Sequence, residues 1–242
     1  MKKFWLALSI GCVALLGGIY LQFYYHQSGT VILKFRAIAN NTPLEFNQPL
    51  YSNPGGEGHF SVRNFQFYLS NVQLVGKHSR YKPSDSYHLA RFDNDTKSYQ
   101  ITLKDVPYDE YSGVQISIGV DDQANASIMP RGDLDPNSRM AWSWEVGYKF
   151  VLFEGDLSLT SQKQALVYHL GFSENLKILQ FELNSSLVPN AAPLNFTVDV
   201  MALFNASQTI NMAELPSVKF DRQDANRLAE NYALMLSLAS TD

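Results

Sequence analysis

The stretch DLDPNSRMAWSWEVGYKFVLFEGDLSLTSQKQALVYHLGF, Asp133–Phe172, decides how this chain reads. Met140, Trp142 and Trp144 fall at alternate positions. On an extended strand they share one face, and Ala141, Ser143 and Glu145 take the other. Gly147–Glu154, rich in Tyr, Phe and Val, predicts a strand, and Ala165–Leu170 predicts its neighbour. The polar connector Gly155–Gln164 makes the two a hairpin. Two tryptophans and His169 are thereby expected together on adjacent strands.

Outward from this stretch the pattern stays β. Val31–Ile38 alternates, and the turn signal NPGGEG (Asn53–Gly58) precedes a long strand candidate, His59–Val75. Further strands are expected at Tyr87–Phe92, Ser98–Leu103, Gly113–Gly119, Lys177–Leu183 and Leu194–Leu203. Turn residues separate them at about 8–20 residue intervals, the spacing of an antiparallel β-sandwich or barrel. Helix is expected in two places, a short one near Ala213 and the tail Asp221–Leu238. Asp221 is a good N-cap with Asp224 at the capping-box position, and Leu228, Tyr232, Met235 and Leu236 form an apolar face for docking on the sandwich.

At 242 residues, 45% of them hydrophobic, the chain can bury a full core, and residues 29–242 are expected to form a single β-sandwich domain. Lysine and arginine (19) nearly balance aspartate and glutamate (23) with no basic cluster, so nucleic acid is not a partner. Lys2 and Lys3 precede an uncharged run from Phe4 to about Leu21. Residues 1–28 thus predict a signal sequence or an uncleaved membrane anchor. An anchor over residues 4–24 matches the bilayer thickness, with a cleaved signal or a lipoprotein as alternatives. Each exports the folded part, giving a periplasmic or other extracytoplasmic location.

Cys12, the one cysteine, lies in that apolar run. The folded part therefore has no thiolate, which excludes a CxxC zinc site, a cysteine nucleophile and a type 1 copper centre. GxSxG, GxGxxG and P-loop patterns are also missing, and no enzymatic activity is expected. His59, His78, His88 and His169 lack the spacing of a local chelate, so any metal site must assemble across strands. His78, within KHSRYK, reads as a solvated loop residue. Asp121, Asp122, Asp133 and Asp135, with Asn125 and Asn137, have DxD and DxN spacing that a hard cation such as calcium accepts, although such residues ordinarily serve turns and caps.

Five blocks carry a family resemblance: YSNPGGEGHFSVRNFQFYLSNVQL (Tyr51–Leu74), SYHL (Ser86–Leu89), IGVDDQAN (Ile118–Asn125), LDPNSRMAWSWEVGYKFVLFEG (Leu134–Gly155) and YHLG (Tyr168–Gly171). In this order, between Val31 and Leu183, they resemble the cysteine-free MbnP-type copper-binding proteins. The resemblance implies copper as the cofactor and a di-haem MauG-like (MbnH-like) peroxidase as the partner. It also implies that this partner oxidises a tryptophan to kynurenine, whose aryl amine and ketone help bind the metal. Trp142 and Trp144 are the candidate precursors. His169 and His88, then His59, are the candidate imidazole ligands, with Met140 as a thioether in reserve. The rival reading is a carbohydrate- or protein-binding module with Trp142 and Trp144 as its contact platform.

Overall fold

A computed structural model describes residues 28–127, 129, 131–143 and 146–239. The expected N-terminal signal or anchor, Trp144 and Glu145 lie outside these residues. The chain is mainly β, built as two sheets around a shared core. Among the described residues, no helix is long and apolar enough to cross a membrane.

The smaller sheet is built on β1 (Ser28–Ala39), where Val31, Leu33, Phe35, Ala37 and Ala39 are buried in strict alternation. That period of two places Lys34 and Arg36 outward and five apolar side chains inward. β1 pairs antiparallel with β7 (Ser98–Pro107) and parallel with β13 (Leu194–Asp199). Phe35 stacks on Phe196 across the parallel pair at 5.0 Å. The larger sheet hangs on β4 (His59–Gly76), which pairs with β6 (Tyr87–Phe92), β8 (Tyr111–Ile118) and β10 (Gly147–Ser158). β11 (Lys163–Gly171) and β12 (Lys177–Leu187) extend it on either side. The register of β4 against β10 shifts at Arg63, between Asn64↔Glu154 and Val62↔Gly155. This bulge lets Phe60 and Val62 point into the same core as Phe65, Phe67 and Leu69.

Between the sheets, Phe60, Phe153, Tyr168 and Phe204 form an edge-to-face aromatic cluster, with Phe153 and Phe204 4.8 Å apart. Each such fully buried ring contributes about 1.5–3 kcal/mol. A second cluster lies on the outer face of the larger sheet, where Tyr68, Tyr148, Phe150 and Leu152 are covered by Val120, Leu134 and Met140. The expected sandwich is therefore present, with differences in detail. No barrel closes, and the sheets are mixed rather than antiparallel. β13 runs parallel to β1, and β14 (Ser217–Val218) runs parallel to β11.

The hairpin of β10 and β11 is longer than its sequence suggests. Leu157 continues the inward alternation, so the strands run on through Ser158 and from Lys163, and Leu159 N donates to Gln162 O at 2.9 Å to close the turn. No helix forms near Ala213, where the chain makes a turn. The C-terminal helix covers Arg222–Tyr232, with the Asp221 carboxylate accepting from Asp224 N at 2.8 Å as its cap. It stops short of Leu238 because Leu236–Leu238 pairs as a strand, β15, with Phe196–Val198 of β13. The four apolar residues of the tail are buried as expected, from two kinds of element.

Fully buried Asn231 ties this helix down. Its Nδ2 donates to Leu203 O (3.1 Å) and Gln208 O (2.8 Å), and its Oδ1 accepts from Gln208 N (2.9 Å). Asn231→Ala leaves these buried main-chain groups unpaired and is expected to cost about 3 kcal/mol, read as a lower urea midpoint at unchanged slope.

Candidate metal centre

The β10–β11 hairpin opposes His169 to Leu152 and Val167 to Glu154. His169 and Glu154 are thus diagonal neighbours on the outer face, and His169 Nε2 lies 3.0 Å from Glu154 Oε1. Asn64 Nδ2, from β4, donates to Glu154 Oε2 at 2.7 Å, and the exposed Arg139 reaches both carboxylate oxygens at 3.1 and 3.0 Å. Burial raises the Glu154 pKa, but the hydrogen bonds from His169, Asn64 and Arg139 outweigh it and hold the carboxyl below its ordinary value. Burial also holds the His169 imidazole below its ordinary value, against the upward pull of Glu154. Near neutral pH this is an ionised carboxylate beside a neutral imidazole. An imidazole that donates Nε2–H to Glu154 carries its lone pair on Nδ1, the arrangement of a carboxylate-oriented metal ligand.

Trp142 packs at the end of the strand that carries His169. It belongs to the short strand β9 (Ala141–Ser143), which pairs with the start of β10. Lys149 holds the tryptophan segment in place: its main-chain N donates to Met140 O at 2.6 Å, and its buried ammonium donates to Arg139 O and Ala141 O. The half-buried indole contacts Phe172 (5.3 Å) and the exposed Phe220 (5.4 Å). It also packs over Gly171, where a Cβ would come within 2.7 Å of Trp142 Cζ3. Gly171 lies two residues along β11 from His169, and the Trp142 ring also packs against the core between the sheets. Phe172 has φ 71°, a strained value for a residue with a Cβ, and it presents its ring to Trp142 on one side and to the Arg222 guanidinium, 4.2 Å away, on another.

The other candidates do not join them. His88 pairs with Leu69, three residues along β4 from Gln66, the residue opposite Leu152. Alternation puts it on the face of the sheet opposite to His169, and its Nε2 is 3.2 Å from Ser86 Oγ. His59 is exposed at the start of β4 opposite Ser158, six residues along β10 from Leu152 and so roughly 20 Å away. Met140 is fully buried in the second apolar cluster. It ends the turn before β9 and so does not share a face with Trp142. His78 is an exposed loop residue, as its sequence suggests. The acidic residues serve caps and turns: Asp121 accepts from Ala124 N, Asp133 from Leu89 N and Asp135 from Asn137 N. Among the described residues, no three His, Cys, Asp or Glu side chains gather as a metal cage.

The sequence did not single out Asn64, Arg139, Lys149, Gly171, Phe172 or Phe220. For Glu154 a signal existed: with the hairpin in register, it is the carboxylate nearest His169 on the outward face of β10.

The MbnP family model matches residues 28–220 of this chain. The chain belongs to the MbnP family. Among solved structures, MbnP from Methylosinus trichosporium is similar, with a TM-score of 0.55 and 17% identity over 76% of this chain and 80% of that one. At that identity the likeness concerns the fold. No curated protein matches the chain.

This MbnP-family protein should lose stability on mild acidification. Burial depresses the folded-state pKa of His88 below the ordinary 6.5, with Asp133 and Asp85 opposing it. A neutral form favoured by folding contributes stability that is present above 6.5 and lost as pH falls below it. The melting temperature should therefore drop between pH 7.5 and 5.5, and His88→Gln should flatten that slope.

Proposed function

We propose that this MbnP-family protein is an exported copper carrier, not a catalyst. In this reading His169 supplies an imidazole donor, Glu154 orients it, and an oxidised tryptophan supplies further donors. The observation that carries the reading is the His169–Glu154 pair on β11 and β10, two residues along β11 from Gly171, over which Trp142 packs.

The donor chemistry fits copper in part. A neutral imidazole suits either oxidation state of copper, and a buried carboxylate on its second nitrogen is the usual support for such a ligand. One imidazole is too few for a tight site, and an unmodified indole adds no donor. Opening the indole between C2 and C3, with loss of one carbon as formate and gain of one oxygen, leaves an aryl amine and a ketone. Two equivalents of hydrogen peroxide would supply the oxygen and take the four electrons, leaving formate and water, and a di-haem peroxidase of the MauG or MbnH kind, a cofactor class able to withdraw electrons at a distance, would activate them. Trp142 suits such a role through its contact with Phe220, which is 63% exposed and brings the aromatic cluster to the surface.

Comparing Trp142→Phe with Trp144→Phe, each co-expressed with the di-haem partner, tests this assignment. Trp142→Phe is expected to be purified without copper, whereas Trp144→Phe retains it. Copper held equally by both variants and by the unmodified chain would contradict the reading.

A further inference from the structure

A second candidate site lies on the same outer face as His169. Its lining residue Tyr87, on β6, lies four residues along and three strands across, roughly 20 Å away. There a crevice of about 380 Å³ opens beside β8, lined by Lys82, Gln115, Ser117, Asp121 and Arg131 among others. Its lining residues Tyr87, Ser117 and Ile178 belong to a cross-strand row in which Tyr87 opposes Ser70, Ser70 opposes Ser117, and Ser117 opposes Ile178.

Two observations point to a ligand. The first is that Ser70 and Ser117 are 0% and 1% exposed, and neither hydroxyl has a hydrogen-bond partner. Native proteins pair more than nine in ten buried polar groups, so two adjacent unpaired hydroxyls in one row call for a partner from outside the chain. The second is a pair of cations with no carboxylate partner in contact. Asp121, the one carboxylate lining the crevice among the described residues, is already committed: it accepts from Tyr87 OH at 2.6 Å, Asn71 Nδ2 at 3.0 Å and Ala124 N at 3.1 Å. Those bonds hold its pKa below the ordinary value against the opposing effect of burial. Lys82 and Arg131 have no ion pair among the described residues. The Arg131 guanidinium is held over the Tyr87 ring, 5.6 Å from its centroid, which orders it before anything binds. The crevice therefore offers two cations without an ion pair among the described residues and, in Ser117, a buried hydroxyl without a partner.

We propose that this crevice binds a small organic carboxylate. The planar guanidinium of Arg131 receives the carboxylate oxygens side by side, the geometry that guanidinium and carboxylate favour. Lys82 adds charge at the rim, and the Ser117 hydroxyl donates from the floor. A bound carboxylate gives the Ser117 hydroxyl an acceptor and gives Lys82 and Arg131 an ion-pair partner. This inference does not depend on copper, and its site shares no residue with the His169 pair.

Calorimetric titration of the full-length protein with succinate, with uncharged succinamide and with inorganic phosphate tests it. Saturable binding of succinate with none of succinamide is expected. Arg131→Gln should weaken that binding about tenfold, the worth of a charge-assisted hydrogen bond. Lys82→Gln, at an exposed position that folding does not need, should weaken it as well, and it carries the test if Arg131→Gln fails to fold. The proposal is overturned if succinate gives no saturable heat or if succinamide binds equally. It is also overturned if both variants bind as the parent does, or if phosphate binds and succinate does not.

Discussion

His169→Ala is expected to lower copper affinity on the order of 100-fold or more in protein co-expressed with the proposed di-haem partner, since removing even the groups that orient a ligand costs about 10–100-fold. The size of the effect follows from the absence of a substitute. His88 faces the opposite side of the sheet, and His59 stands six residues along the strand. Met140 is enclosed by Tyr68, Tyr148 and Leu152. A competition titration against a chromophoric copper chelator reads the loss directly. Glu154→Gln keeps the hydrogen-bond length but removes the charge, so it should fall between His169→Ala and the parent. His59→Ala should match the parent. If His59→Ala and His169→Ala weakened copper equally, the assignment to the hairpin face would fail.

The second large effect belongs to Gly171. Its absent side chain is what allows the Trp142 ring to lie against β11. A Cβ there would stand 2.6 Å from the Tyr148 carbonyl oxygen and 2.7 Å from Trp142 Cζ3. The backbone oxygen cannot move without disturbing the β9–β10 junction, so the indole has to swing outward. Gly171→Ala is expected to destabilise the fold by about 1–3 kcal/mol, typical of overpacking. It should also shift tryptophan emission to the red as the ring meets water, a change read in a background with Trp5→Phe and Trp144→Phe to isolate Trp142. Unshifted emission with full stability would mean that the indole does not rest on Gly171.

These effects also mark what the sequence disclosed. The β10–β11 hairpin, the long β4 and the cap at Asp221 were legible because each depends on local periodicity or on one side chain bonding to a nearby amide. Parallel pairing of β1 with β13 was not, since its residues are more than 150 positions apart and the strand pattern is the same for either direction. The tail illustrates tertiary override. Leu236–Leu238 fits a helical pattern, yet it pairs with β13 because that edge was open to it. At the site, His169 and Trp142 were recognisable as chemistry-bearing residues. Their supporting groups were not, because Asn64, Arg139 and Glu154 come from three separate segments and acquire meaning only once the register is fixed. His88 shows the converse: a residue that looks suitable in sequence is carried to the wrong face by simple alternation along β6.

The central claim is that Trp142 and His169 form a copper site once the tryptophan is oxidised. The most direct measurement is peptide mass spectrometry with metal analysis on protein co-expressed with the proposed di-haem partner. The account predicts a gain of about 4 Da, the indole-to-kynurenine change, on Trp142 in the peptide that also carries Trp144, together with bound copper. Intact tryptophans and no copper after loading would contradict it.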